Sequence, residues 1–149
     1  MNEAKTALGH KILGIKKKKG LNWTEIAARL GHAPVWTCAA CLGQMSMTED
    51  TAEKAGALFG LDASEIETLQ AIPYRGSLPT AVPTDPLIYR FYELLMVYGT
   101  TWKELIHEEF GDGIMSAIDF DMSLEREPDQ KGDRVKIGMS GKFLAYKRY

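Results

Sequence analysis

Ile114-Met-Ser-Ala-Ile-Asp-Phe-Asp-Met-Ser-Leu124 is where the chain changes its hydrophobic period. Ile114, Ser116, Ile118, Phe120, Met122 and Leu124 share one face, while Met115, Ala117, Asp119, Asp121 and Ser123 share the other. Alternation every second residue predicts a half-buried strand. A second alternating run, Val135, Ile137 and Met139, follows the polar stretch Glu125 to Asp133, with a short extension through Phe143-Leu144. The two runs read as a β-hairpin. A lone hairpin is marginal in water, so this one has to pack on the preceding helices or pair with another subunit. Oligomerisation is therefore expected from this segment.

Upstream of the hairpin the period is helical. Thr84-Asp85-Pro86 supplies a capping residue and a proline at the first helical position. The helix that follows, Leu87-Ile-Tyr-Arg-Phe-Tyr-Glu-Leu-Leu-Met-Val-Tyr98, carries only two charges, Arg90 and Glu93. Gly99 is read as its end, and Thr101-Trp-Lys-Glu104 has capping-box spacing for another helix to Phe110. A helix apolar nearly all round is normally buried on more than one side. Arg90 and Glu93, three apart and thus neighbours on one face, are then expected as a buried pair. Burial of charge costs several kcal/mol per ion, very roughly, so such a pair marks a candidate site. Ser116 interrupts an otherwise apolar strand face, and a buried hydroxyl must bond something, a ligand being one candidate.

The first seventy or so residues read as short helices. Ala4, Leu8, Ile12 and Ile15 recur at helical spacing up to Lys16-Lys17-Lys18-Lys19 and Gly20. Asn22 or Thr24 caps a second helix that Gly31 stops; Pro34 opens a third through Leu42; Thr48–Phe59 and Ala63–Ala71 are two more. Prolines at 73, 79, 83 and 86 then describe an extended connector. The expected organisation is a helical domain over 1–76 and a second domain over 77–149, linked at about 73–86.

Composition narrows the class. The 149 residues are 45% hydrophobic and 26% charged, as in soluble globular proteins. A net charge of −2 argues against a general nucleic-acid binder. No apolar run approaches the roughly 20 residues that span a bilayer, and no secretory signal is expected. Cys38 and Cys41 make no disulfide framework, which points to a reduced, intracellular setting with the organelle left open, and the localisation expected is cytoplasmic. Their Cys-x-x-Cys spacing lacks the second ligand pair of a structural zinc site, so no metal is assigned. Trp23 to Leu42 resembles a helix-turn-helix, making a DNA-binding regulator the rival reading. Its would-be recognition helix, Val35-Trp-Thr-Cys-Ala-Ala-Cys-Leu42, offers no Arg, Lys, Asn or Gln to reach base edges.

Tyr89-Arg-Phe-Tyr-Glu93, Val97-Tyr-Gly-Thr100, Phe110-Gly-Asp-Gly-Ile-Met-Ser-Ala-Ile-Asp-Phe120 and Gly141-Lys-Phe-Leu144 together resemble cyanase, the cyanate hydratase or cyanate lyase family. Pro83-Thr-Asp-Pro86, Ile72-Pro-Tyr-Arg-Gly76 and Leu42-Gly-Gln44 extend the resemblance over most of the chain. One departure is Ser140-Gly-Lys-Phe-Leu-Ala145, in place of the more usual Asp-Gly-Lys-Tyr-Leu-Pro.

The resemblance implies a carbon–nitrogen lyase of cyanate catabolism and detoxification. Cyanate and bicarbonate combine into a dianionic adduct, which loses carbon dioxide to leave carbamate and then ammonia. Bicarbonate is a co-substrate, and no cofactor, metal, nucleic acid or membrane is implied. The catalytic residues it implies are Arg90, Glu93 and Ser116. It also implies a homodecamer, a pentamer of dimers, with sites where subunits meet. The fold expected is α+β: an N-terminal helical bundle resembling a helix-turn-helix (lambda-repressor-like) domain, followed by a helix-plus-hairpin dimerisation and catalytic domain.

Overall fold

Local chemistry marks nearly every helix boundary in the computed structural model, which describes residues 3–149. The helices are α1 Glu3–Lys19, α2 Trp23–Leu30, α3 Pro34–Cys41, α4 Glu49–Phe59, α5 Ala63–Gln70 and α6 Pro86–Phe110. The strands are β1 Gly113–Glu127 and β2 Arg134–Ala145, paired as one two-stranded antiparallel sheet. The expected α+β class is borne out.

Asn22 accepts from the Glu25 amide while the Glu25 carboxylate accepts from the Asn22 amide, a reciprocal capping box that starts α2. Asp62 and Glu65 repeat it at α5, and the Thr48 side chain caps α4. Gly31 and Gly60 close α2 and α4 in the left-handed conformation, which a side chain disfavours. The amphipathic faces of α1 to α5 then converge on Leu8, Ile12, Ile26, Leu30, Cys41, Ala52, Phe59 and Leu69. At the tightest α4–α5 approach, a Cβ on Gly56 would lie 2.5 Å from Ile66 Cδ1.

Two polar groups inside this bundle carry no signal in hydrophobic patterning. Lys5 is only 3% exposed, and its Nζ donates to the Met45 and Leu69 carbonyls at 3.3 and 3.2 Å. Desolvation, helped by the Arg75 charge, holds its ammonium below the ordinary lysine pKa. Ser46 Oγ donates to the Ala71 carbonyl and the Gly76 amide donates to Gln44 Oε1, fastening the chain after α5 to the loop after α3. Thr37 Oγ1 on α3 is fully buried and has no hydrogen-bond partner.

The chain divides into two compact units, Met1–Ser77 with Met122–Gly138, and Leu78–Asp121 with Met139–Tyr149. In the second unit, the structure corrects two expectations. First, α6 does not stop at Gly99 but runs unbroken for 25 residues. One helical glycine costs about 1 kcal/mol. Tyr98 stacked on Trp102 at 6.4 Å bridges that point. Second, no residue of α6 is buried, although the sequence reads as a buried helix. A single helix and part of a hairpin provide no second layer to cover it, so Leu87, Phe91, Leu95, Val97 and Leu105 are exposed.

The hairpin is longer than its apolar alternation. β1 continues to Glu127, where charge replaces burial: Arg126 pairs with Asp133 at 2.9 Å and Arg134 with Glu127 at 3.7 Å. Gly132, at φ +120°, completes the turn.

Candidate active site

Asp85 opens α6 by accepting from the Leu87 and Ile88 amides, which sets the first turn that carries Arg90. Arg90 and Glu93 then fall on one face, with Nη1 3.4 Å from Oε2. Their side chains are 63% and 45% exposed, so the buried ion pair expected from the sequence is an open one in the chain. The Tyr89 ring lies 5.9 Å from the Arg90 guanidinium carbon, adding an aromatic face to the cation.

Ser116 is buried, at 5% exposure, while Ile114 and Ile118 on either side of it along that strand face are exposed. Its Oγ accepts from the Ile118 amide at 3.0 Å and from the Asp119 amide at 2.9 Å. A serine oxygen has two acceptor positions and one proton. With two N–H groups pointing at it, the oxygen has its acceptor capacity filled. What is left to offer is a donor. Among the described residues neither Arg90 nor Glu93 hydrogen-bonds to Ser116 within one chain.

The surroundings of Ser116 hold features that spacing did not reveal. The His107 ring nitrogen Nε2 lies 3.3 Å from the Gly113 carbonyl, which can only accept, so the imidazole donates and ties the last turn of α6 to the start of β1. Phe110 stacks on Phe143 at 5.2 Å, and the Tyr146 amide donates to the Asp112 carbonyl. A cleft of about 290 Å³ lies beside this junction, lined by Lys103, His107, Asp112 and Tyr146 among others, but not by Arg90, Glu93 or Ser116. Gly141 on β2 crosses so close to β1 that a Cβ there would lie 2.4 Å from the Ser116 carbonyl oxygen. Period-two alternation indicates which face a residue occupies, not how near two backbones pass.

The remaining candidates are inert. Cys38 and Cys41 lie free on α3. Burial pushes both thiols up, Cys41 to about 12 with some help from Cys38. No group of His, Cys, Asp and Glu capable of holding a metal occurs among the described residues. No helix among them is long and apolar enough to cross a membrane.

Comparison with known proteins covers most of the chain. Residues 5–73 match the family model described as cyanate hydratase, N-terminal, and residues 80–148 match the cyanate lyase C-terminal domain. A cyanate hydratase of Methylibium petroleiphilum is 64% identical over 93% of this chain and 95% of its own. One from Polynucleobacter asymbioticus is 59% identical over 97% of this chain and 99% of its own. The crystal structure of cyanase from T. urticae superposes with a TM-score of 0.82 at 36% identity, covering 93% of this chain and 96% of that one.

Proposed function

This chain belongs to the cyanate hydratase family, and from that membership we propose that it decomposes cyanate in a bicarbonate-dependent reaction by clamping two small anions. The observation that carries the clamp is the donor character of Arg90 and Ser116. Arg90 bears five N–H donors and no acceptor, and Ser116 has spent its acceptor capacity on two backbone amides. Donors of this kind favour anions over ligands that cannot accept hydrogen bonds.

The chemistry asks for little else. A bicarbonate oxygen attacks the cyanate carbon while the bicarbonate proton passes to nitrogen, giving a dianionic mixed anhydride. That adduct takes up one further proton at nitrogen as the bond between its bridging oxygen and the former bicarbonate carbon breaks, releasing carbon dioxide and leaving carbamate. Carbamate takes a second proton and falls apart to ammonia and carbon dioxide. The planar Arg90 fork suits paired hydrogen bonds to a carboxylate. Glu93, one turn away, braces that fork and is the nearby carboxyl suited to pass a proton. Ser116 donates to an anion oxygen and is not a nucleophile, because no base partners its hydroxyl and two amides hold its oxygen. Holding both reactants in register removes about 7–11 kcal/mol of barrier in favourable cases. Donors already in place stabilise the dianion further.

The exposed apolar side chains of α6 support an assembly in which neighbouring copies cover that helix and complete the pocket. We take that assembly to be a decamer built of five dimers, working in the cytoplasm, where free cysteines such as Cys38 and Cys41 persist.

Ammonia release from cyanate, measured with and without bicarbonate, tests the reaction. Release that requires bicarbonate is the expected result, and full-rate turnover in bicarbonate-free buffer sinks the two-anion mechanism. A sizing column tests the assembly, where a clean monomer is the contrary outcome.

A further inference from the structure

We infer that Gly141 is a positioning residue for Ser116, an assignment that rests on the anion-donor role proposed for that serine. Gly141 sits in the β2 backbone opposite the Met115–Ser116 segment of β1. A Cβ built there lies 2.4 Å from the Ser116 carbonyl oxygen, 2.6 Å from Met115 Cγ and 3.3 Å from Met115 Sδ. Comfortable carbon–oxygen contacts begin near about 3.3 Å, so the strands must part by about 1 Å to admit a methyl group. The first of those atoms is backbone and cannot rotate away. It belongs to the residue whose Oγ is held by the Ile118 and Asp119 amides, so displacing it moves the hydroxyl and its two donors together.

The requirement is for space, not for an unusual backbone angle. Gly141 is not among the glycines with positive φ, so alanine fits its conformation and fails only on contact. Gly138, three residues earlier on β2, provides a contrast: a Cβ there meets only the Ser123 hydroxyl at 2.9 Å, and that group can turn aside.

The experiment measures bicarbonate-dependent ammonia release by the full-length protein carrying Gly141→Ala, Gly138→Ala, Ser116→Ala, or Ser116→Ala with Gly141→Ala. Gly141→Ala is expected to slow turnover about 10- to 100-fold, the scale of a misplacement near 1 Å. It should leave the sizing profile unchanged, and it should add almost nothing once Ser116 is already alanine. Gly138→Ala should stay close to the parent. An equal further loss in the Ser116→Ala background overturns the inference, because the glycine then acts independently of the serine. Full activity of Gly141→Ala beside an impaired Ser116→Ala also overturns it while leaving the proposed function standing. If Ser116→Ala itself is fully active, the proposed role of the serine fails, and the inference with it. Should Gly141→Ala not assemble, Met115→Ala with Gly141→Ala removes the two Met115 side-chain contacts and keeps the conflict with the Ser116 carbonyl. That pair is expected to assemble and remain slow relative to Met115→Ala alone, and full activity would trace the conflict to Met115 instead.

Discussion

Arg90 Nη1 and Glu93 Oε2 stand 3.4 Å apart across one turn of α6, and both side chains are open to solvent in the chain. An exposed pair of this kind contributes about 0–1 kcal/mol to stability. Removing it should therefore affect chemistry and leave folding almost untouched. Arg90→Leu is expected to keep the parent melting temperature while turnover of cyanate falls by about 10²–10³, the usual cost of losing one electrostatic donor. Arg90→Lys should recover only part of the rate, since it restores charge without the planar fork. Calorimetry and the ammonia assay, run on the same preparations, check both halves.

Thr37 offers a gain. Its hydroxyl is fully buried on α3 with no partner, and a buried unsatisfied polar group costs about 1–3 kcal/mol. Thr37→Val keeps the shape and removes the orphan, so it should raise stability by about 1 kcal/mol or more with activity unchanged. A denaturant midpoint that shifts downward would contradict the reading of that hydroxyl as unpaired.

The α3 cysteines make the fold alkali-sensitive. Cys41 has its thiol raised from 9.0 to about 12 in the folded chain, chiefly by burial. Below pH 9 both folded and unfolded chains hold the proton. Above it the unfolded chain ionises first, so stability is progressively lost as pH climbs from 9 toward 12. The full loss is on the order of 4 kcal/mol. Unfolding followed from pH 9 upward should fall more steeply for the parent than for Cys41→Ala. Near neutral pH a thiol reagent should reach half-buried Cys38 first and Cys41 only on unfolding.

Gly56 sets the α4–α5 spacing. Alanine there gains up to about 1 kcal/mol of helix propensity. Its methyl group, however, would meet Ile66 Cδ1 at 2.5 Å and Cγ1 at 2.7 Å, and overpacking costs about 1–3 kcal/mol. Gly56→Ala should therefore destabilise, and adding Ile66→Val, which removes Cδ1, should restore part of the loss. Equilibrium unfolding of the single and double variants decides the sign.

What was legible in the sequence were features determined between near neighbours. The cap offered at Asn22, the glycine stop at Gly31 and the period-two runs all depend on contacts within a few residues. The burial of Ser116 did not follow from that alternation, because Ile114 and Ile118 on the same face are exposed in the chain. The break expected at Gly99 failed because Tyr98 and Trp102 stack across it, a gain that glycine's helix penalty does not outweigh. The burial expected for Arg90 and Glu93 failed because apolar composition shows that a helix needs cover, not that its own chain supplies it. Lys5 and Gly141 were illegible for a related reason: each works through backbone atoms brought close by the fold, far along the chain in sequence.

The two amides that hold Ser116 Oγ bear on the enzyme's own durability. Cyanate, through its conjugate acid, carbamoylates nucleophiles, amines and thiols readily and hydroxyls more slowly. A serine proposed to grip this electrophile would meet it at close range. Here the oxygen's lone pairs are already engaged by Ile118 and Asp119, so the hydroxyl can donate its proton without offering electrons in return. In the proposed role, the arrangement that fixes Ser116 as a donor also guards it against carbamoylation by cyanate.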